Sequence, residues 1–379
     1  MAEKILKKNW VSNFTLIGKP IINDYTFKIN AKSGKSNWVY NSMNIGIDCG
    51  KDYGTVYAEM MGGYSEDNEN RIYVHGKKDD GSDDFDNKMI IKWEDRFNDS
   101  VLEEIGDMCF LTVGLEKTTN DKTYYEKFLS EYDAIAYIKE YLTSDMTVNV
   151  RGTLKYSVYN GVVQVRKNIT SIALSKAKDD SEYKAVFTQS VLIDKDSASL
   201  KNIDKDRGVM FVDTKVIDYV KEINGVEVKG QYPFDKQFEF AMDFSNQVNC
   251  KKIMDKLFKV KSGYYTQINF EGDFIEGGAV VNATLDDLSD DIRDLIDMGL
   301  FTEEEALAKC AASGSRERRM VLKKPVLKPV GDDKVLVKQV FEEAYAEEDL
   351  ILDCLSEASA PWNGEEETSS DDLDWLNSL

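Results

Sequence analysis

The chain has 379 residues, 42% hydrophobic and 31% charged, with 48 basic against 69 acidic residues and a net charge of −21. That length suggests two to three domains with real cores, and the overall charge, taken alone, argues against a nucleic-acid partner. The charge is uneven, however. Residues 342–379 hold 13 Asp/Glu and no Lys or Arg, whereas residues 147–178 hold six Lys/Arg and no Asp or Glu. No run of 18 apolar residues occurs, so no transmembrane helix and no membrane role is expected. The first residues lack the apolar core of a secretory signal. Five scattered cysteines (Cys49, Cys109, Cys250, Cys310, Cys354) read as reduced thiols of a cytoplasmic protein rather than a disulfide framework.

In chain order, residues 10–115 alternate β-branched and aromatic residues with Gly, Asn and Asp, which predicts short strands at 14–18, 25–29, 38–40 and 44–47. The acid-rich stretch 77–87 reads as a polar loop. Residues 131–143 read as a helix, because Ala134, Tyr137, Ile138, Tyr141 and Leu142 recur at three- and four-residue spacing. A hairpin follows, with strands 146–159 and 162–174 around Asn160-Gly161, a dipeptide suited to a turn that needs positive φ. The order then repeats: strands at 184–193, 208–219 and 226–242, a helix at 246–258, and a second hairpin at 264–274 and 279–283. Two short helices, 285–298 and 302–312, come next. Basic residues cluster again at 316–338, and beyond about residue 357 the composition favours disorder.

Strands, then a helix, then a closing hairpin is the element order of an OB-fold, which binds oligonucleotides on one sheet face. The expected architecture is mainly β with minor α, built as two tandem OB-fold-like barrels. The units fall at residues 1–178, carrying the basic hairpin, and 179–340, with a helical appendage. Residues 341–379 form an acidic tail.

In the first hairpin a two-residue turn pairs positions that sum to 321. One face, with Val158, Val163, Tyr156 and Val165, is apolar and suits the core; Leu154 opposite Lys167 is its charged intrusion. The other face pairs Lys155 with Arg166, Thr153 with Asn168 and Arg151 with Thr170. Like charges directly opposite each other destabilise a sheet by roughly a few tenths to 1 kcal/mol, and neither strand supplies an acid. Phosphates are the expected compensation, contacted by Arg151, Lys155, Arg166 and Lys167, with Tyr159 at the tip stacking on a base. The competing reading is a solvated face whose charges meet acids from elsewhere. A second candidate surface follows from Met43, Ile45 and Ile47 as a core face. Trp38 and Tyr40 then lie on the opposite, polar face behind Lys32 and Lys35, as stacking rings beside phosphate-binding lysines.

Residues 342–379 carry acids followed by an apolar tip in Asp371, Asp372, Leu373, Asp374, Trp375, Leu376 and Leu379. This layout resembles single-stranded DNA-binding proteins of bacteria and their phages: an OB-fold body, a linker, and an acidic tail with an apolar tip. The resemblance implies that the tail recruits replication or recombination proteins and competes with DNA for the groove. The tip departs from the bacterial Pro-Phe ending, and tandem units lean towards a phage-type protein acting in the host cytoplasm.

Other signals carry less. Ser33-Gly34-Lys35-Ser36 lacks the first glycine of a phosphate-binding loop, since position 29 is Ile29. No CxxC pair suggests a zinc site, and a catalytic triad would have to be built around the single histidine, His75. The expected function is therefore sequence-independent single-stranded DNA binding, without cofactor, metal or catalytic residues. The rival is a β-rich structural or assembly protein of a virion, using the same strands for protein contacts.

Overall fold

The computed structural model describes residues 5–352 apart from 6, 35, 160, 224, 332, 333 and most of 278–316. It is mainly β with minor α, as expected. The first half runs β1 (Ser12–Ile21), β2 (Phe27–Lys32), β3 (Trp38–Asp48), β4 (Thr55–Ser65), β5 (Arg71–Lys77), β6 (Asp83–Lys92), α1 (Asp99–Leu102), β7 (Leu111–Lys117), β8 (Thr123–Phe128), α2 (Glu131–Tyr141), β9 (Val148–Tyr159) and β10 (Val162–Leu174). The second half runs β11 (Lys184–Ile193), β12 (Ala198–Asp204), β13 (Val209–Ile223), β14 (Val226–Ala241), α3 (Gln247–Ile253), β15 (Tyr264–Gly277), β16 (Glu317–Pro325), β17 (Leu327–Val330), β18 (Val335–Lys338) and β19 (Val340–Ala346).

Each half closes a five-strand circuit. In the first, β1 pairs with β3, β3 with β4, β4 in parallel with β10, β10 with β9, and β9 back with β1. In the second, β11 pairs with β13, β13 with β14, β14 in parallel with β16, β16 with β15, and β15 back with β11. In both, a helix lies between the third and fourth strands, the order expected from the sequence. The circuits are fused rather than separate barrels. Ser12–Ile17 of β1 pair antiparallel with β11, whereas Lys19–Ile21 pair with β3. One sheet therefore runs through both halves, and one apolar cluster joins Leu16, Ile45 and Val150 to Phe187, Phe238 and Phe270. At this seam the buried Gln189 amide is hydrogen-bonded: Ser12 Oγ and the Tyr156 hydroxyl donate to its Oε1 at 2.8 and 3.0 Å.

Local chemistry accounts for the elements. Ser130 caps α2 by accepting from the Tyr132 N–H, and Ala134, Ile135 and Ile138 form its buried stripe. Period-two alternation buries Val39, Met43, Ile45 and Ile47 of β3, and Val148, Val150, Leu154 and Tyr156 of β9. Gly161, with φ of +74°, sits in the turn joining β9 to β10.

Several expectations change. The acid-rich stretch 77–87 is not all loop, because β6 begins at Asp83 and pairs with β5. The partner of β15 is β16, drawn from the segment read only as basic. Residues 279–283 and nearly all of the expected helices 285–298 and 302–312 lie outside the described residues. Residues 341–352 belong to the body rather than to a tail: β19 pairs with β15, and Tyr345 and Leu350 are buried.

Candidate nucleic-acid interface

The outward face of β3 and β4 carries the aromatic pair. Trp38 and Tyr40 are both partly exposed and stack on each other, with ring centroids 5.0 Å apart and planes 16° apart. Gly63 lies opposite Tyr40, so the β4 residue directly across adds no side chain over the ring. Along the same face Ser42 stands opposite Met61, which is 52% exposed, then Asn44 opposite Glu59, and Gly46 opposite Tyr57. The Tyr57 ring lies over Gly46, since an added Cβ there would sit 3.2 Å from it. From Trp38 to Gly46 the strip measures about 26 Å at the rise of a β-strand.

Cations border this strip. Lys28 of β2 is exposed opposite Ser42. Arg166 lies opposite Lys155, and Asn168 opposite Thr153, as the turn predicts. The register then slips at Thr170, so Arg151 faces Ser171 instead of Thr170. The extra residue is a bulge, which spacing from the turn cannot reveal. Among the described residues Lys28 and Arg151 have no acidic partner within ion-pair distance. Tyr159 at the hairpin end is 47% exposed.

Acids from other parts of the chain meet the other cations. Lys155 lies 3.6 Å from Asp218, Arg166 lies 3.8 Å from Glu59, and Lys32 lies 2.9 Å from Glu66. All three cations keep side-chain exposures between 46% and 65%. The Arg166–Glu59 and Lys32–Glu66 pairs are exposed on both sides and contribute about 0–1 kcal/mol, so a phosphate can replace those carboxylates at little cost. Asp218 is buried but keeps Lys7 and the Tyr156 and Tyr219 N–H groups as partners when Lys155 turns outward. Lys167 differs. Its ammonium is 2.5 Å from Glu276, with only 10% and 7% of the two side chains exposed, and it is a structural cation rather than an open phosphate contact. Lys35 and the tail residues Asp371, Asp372, Leu373, Asp374, Trp375, Leu376 and Leu379 lie outside the described residues.

At its Asn44 end the strip opens into a cleft of about 620 Å³ between the two circuits. Its walls hold Arg166, Lys167, Lys236, Arg318 and Arg319 against Glu59, Glu239 and Glu276, with Tyr57, Phe211 and Met320 as ring and thioether surface. Arg319 is bound to Glu239, whereas Arg318 and Lys236 have no acidic partner among the described residues. Lys28, Tyr57, Phe211, Lys236 and Arg318 were not singled out in the sequence. Strand alternation from Phe27 and Val209 offers a signal for Lys28 and Phe211, but the cleft depends on pairing between distant strands.

Burial holds the Lys236 ammonium below the ordinary lysine range. Its charged form therefore costs stability. Between that lowered value and the unfolded value of about 10.4, the unfolded state binds more protons, so stability rises with pH there. Lys236→Gln should be more stable than the parent by about 1 kcal/mol at pH 7, and the gap should narrow as pH rises to 10. Urea denaturation of both proteins across pH checks this; a constant gap contradicts the burial of an uncompensated charge.

A family model described as YorF matches residues 108–263, from the turn before β7 to the start of β15. That stretch contains the β9–β10 hairpin, Lys236 and Phe211, and it crosses from one circuit into the other. No curated protein matches the chain.

Proposed function

We propose that the protein binds single-stranded DNA without sequence preference and without catalysing a reaction, in support of replication or recombination. The observation that carries this reading is the partly exposed Trp38–Tyr40 stack on a strand face bordered by cations and leading into a basic cleft. Every base offers a π-face, so stacking on such a platform tolerates any sequence. Lys28, Arg151, Lys155 and Arg166 supply phosphate contacts along the strip, and Lys236 and Arg318 supply them in the cleft.

Phosphate contact is an ion-exchange event, because each neutralised phosphate releases a condensed counterion. The triple variant Lys28→Ala, Arg151→Ala, Arg166→Ala should stay folded and lose affinity for oligo-dT. Its slope of log affinity against log salt should flatten by about 0.7 for each lost contact. A folded variant with the parent slope defeats the assignment.

The acidic segment from Asp353 onward is proposed to dock replication or recombination proteins through Leu373, Trp375, Leu376 and Leu379. Its acids, including Asp371, Asp372 and Asp374, compete for the same cations at low salt, where the Debye length is about 30 Å at 0.01 M against about 8 Å at 0.15 M. Deleting residues 353–379 should tighten oligo-dT binding, most at 0.01 M salt. Equal affinity with and without the segment at that salt excludes the competition.

A further inference from the structure

Away from the strip, β5 and β6 form a two-stranded sheet over a satellite core of Val74, Ile91 and Ile105. Three reactive side chains converge there from three places in the chain. His75 comes from β5, Asp83 from the first position of β6, and Cys109 from the turn before β7. The Cys109 sulfur packs against the His75 imidazole, 3.2 Å from Nδ1 and 3.8 Å from Nε2, and the His75 backbone N–H donates to it at 3.3 Å. Nε2 lies 2.7 Å from Asp83 Oδ1, which also accepts the Met108 N–H at 3.0 Å.

The surroundings are built to hold this row. Gly106 donates its N–H to the His75 carbonyl at 2.8 Å. A Cβ on Gly106 would fall 2.5 Å from Asp83 Oδ1 and 2.6 Å from His75 Nε2, so a side chain there would push the imidazole and carboxylate apart. The Phe85 ring lies against the imidazole, 4.6 Å between centroids. The Met108 N–H and the imidazole hold the Asp83 carboxyl below the usual carboxylate range. Asp107, whose charge also acts on Asp83, is paired with Lys77 and Lys127.

We propose that Cys109 is a nucleophilic thiol, with His75 as its proton acceptor and Asp83 as the residue that positions the imidazole, and that small peroxides modify it. A nucleophile, a base within hydrogen-bond reach and a third group orienting that base are the elements of an activated thiol. The sulfur attacks one peroxide oxygen; the S–O bond forms as the O–O bond breaks. The thiol proton passes to His75 and then to the departing hydroxide, which leaves as water. Sulfur is oxidised by two electrons to a sulfenic acid, the peroxide is reduced by two, and a thiol can reverse the change. The site is distinct from the proposed DNA strip and does not depend on it.

The other described cysteines lack this arrangement. Cys49 is buried, and burial pushes its thiol far above the usual range. Cys250 is buried and donates to the Asp243 carbonyl at 3.2 Å.

The test follows the rate at which each cysteine of the full folded chain reacts with iodoacetamide and with hydrogen peroxide at pH 7, resolved by peptide mass spectrometry. The reference is the same chain unfolded in urea. Native Cys109 should react on the order of tenfold faster than unfolded Cys109, through general-base assistance. His75→Ala should remove that advantage, added imidazole should restore part of it, and Asp83→Asn should reduce it. Native Cys109 reacting no faster than unfolded Cys109 overturns the proposal even if a variant fails to fold, and so does a folded His75→Ala protein with the parent rate.

Discussion

Lys167→Ala is expected to lower the unfolding free energy by about 3–5 kcal/mol, because it leaves the Glu276 carboxylate buried without its partner. The ammonium also stands 4.8 Å from the Phe274 ring centroid, so the substitution removes a cation from an aromatic face. Replacing the pair together, as Lys167→Met with Glu276→Gln, should recover most of the loss, since no buried charge is then orphaned. Equilibrium urea denaturation of the three proteins measures this. A loss below about 1 kcal/mol for Lys167→Ala would mean that water reaches the pair and would restore Lys167 as an open phosphate contact.

Trp38→Ala is expected to weaken oligo-dT binding by about 1–3 kcal/mol, roughly five- to 150-fold in affinity. Stability should fall by less than binding, because the ring lies on the outward face, where it is partly exposed and stacks on Tyr40. Trp38→Phe should keep much of the affinity, as a smaller ring can still stack. Binding by fluorescence anisotropy and melting by circular dichroism separate the two effects. A drop in melting temperature with parental affinity would make Trp38 a packing residue and remove the platform.

What could be read from the sequence was local. The α2 helix follows its apolar spacing, β11 spans 184–193 as expected, and the Asn160-Gly161 turn fixes the opposition of Lys155 and Arg166. The outward placement of Trp38 and Tyr40 follows from alternation against Met43, Ile45 and Ile47. What could not be read depends on pairing across long separations. Glu276 stands 109 residues from Lys167, and Asp218 is reached from Lys155 only through the contact of β9 with β13. β12 is short and mostly polar, and it lacks a strand's apolar signature. β16 is masked by Arg318, Arg319, Lys323 and Lys324 around the short buried run of Val321 and Leu322. His75 carries no signal of partners in the sequence, because Asp83 and Cys109 reach it only when β5, β6 and the turn before β7 come together.

The most direct measurement of the central claim is a titration of the intact protein with oligo-dT, followed by intrinsic tryptophan fluorescence at salt concentrations from 0.05 to 0.2 M, each on the order of physiological ionic strength. Stacking of a base on the Trp38–Tyr40 pair should quench the fluorescence, the quench should saturate, and affinity should fall linearly on logarithmic axes as salt rises. The quench should be lost in Trp38→Phe while binding persists. An absence of saturable binding at the lowest salt, or binding whose affinity ignores salt, would contradict a phosphate-tracking, base-stacking surface on this face of the sheet.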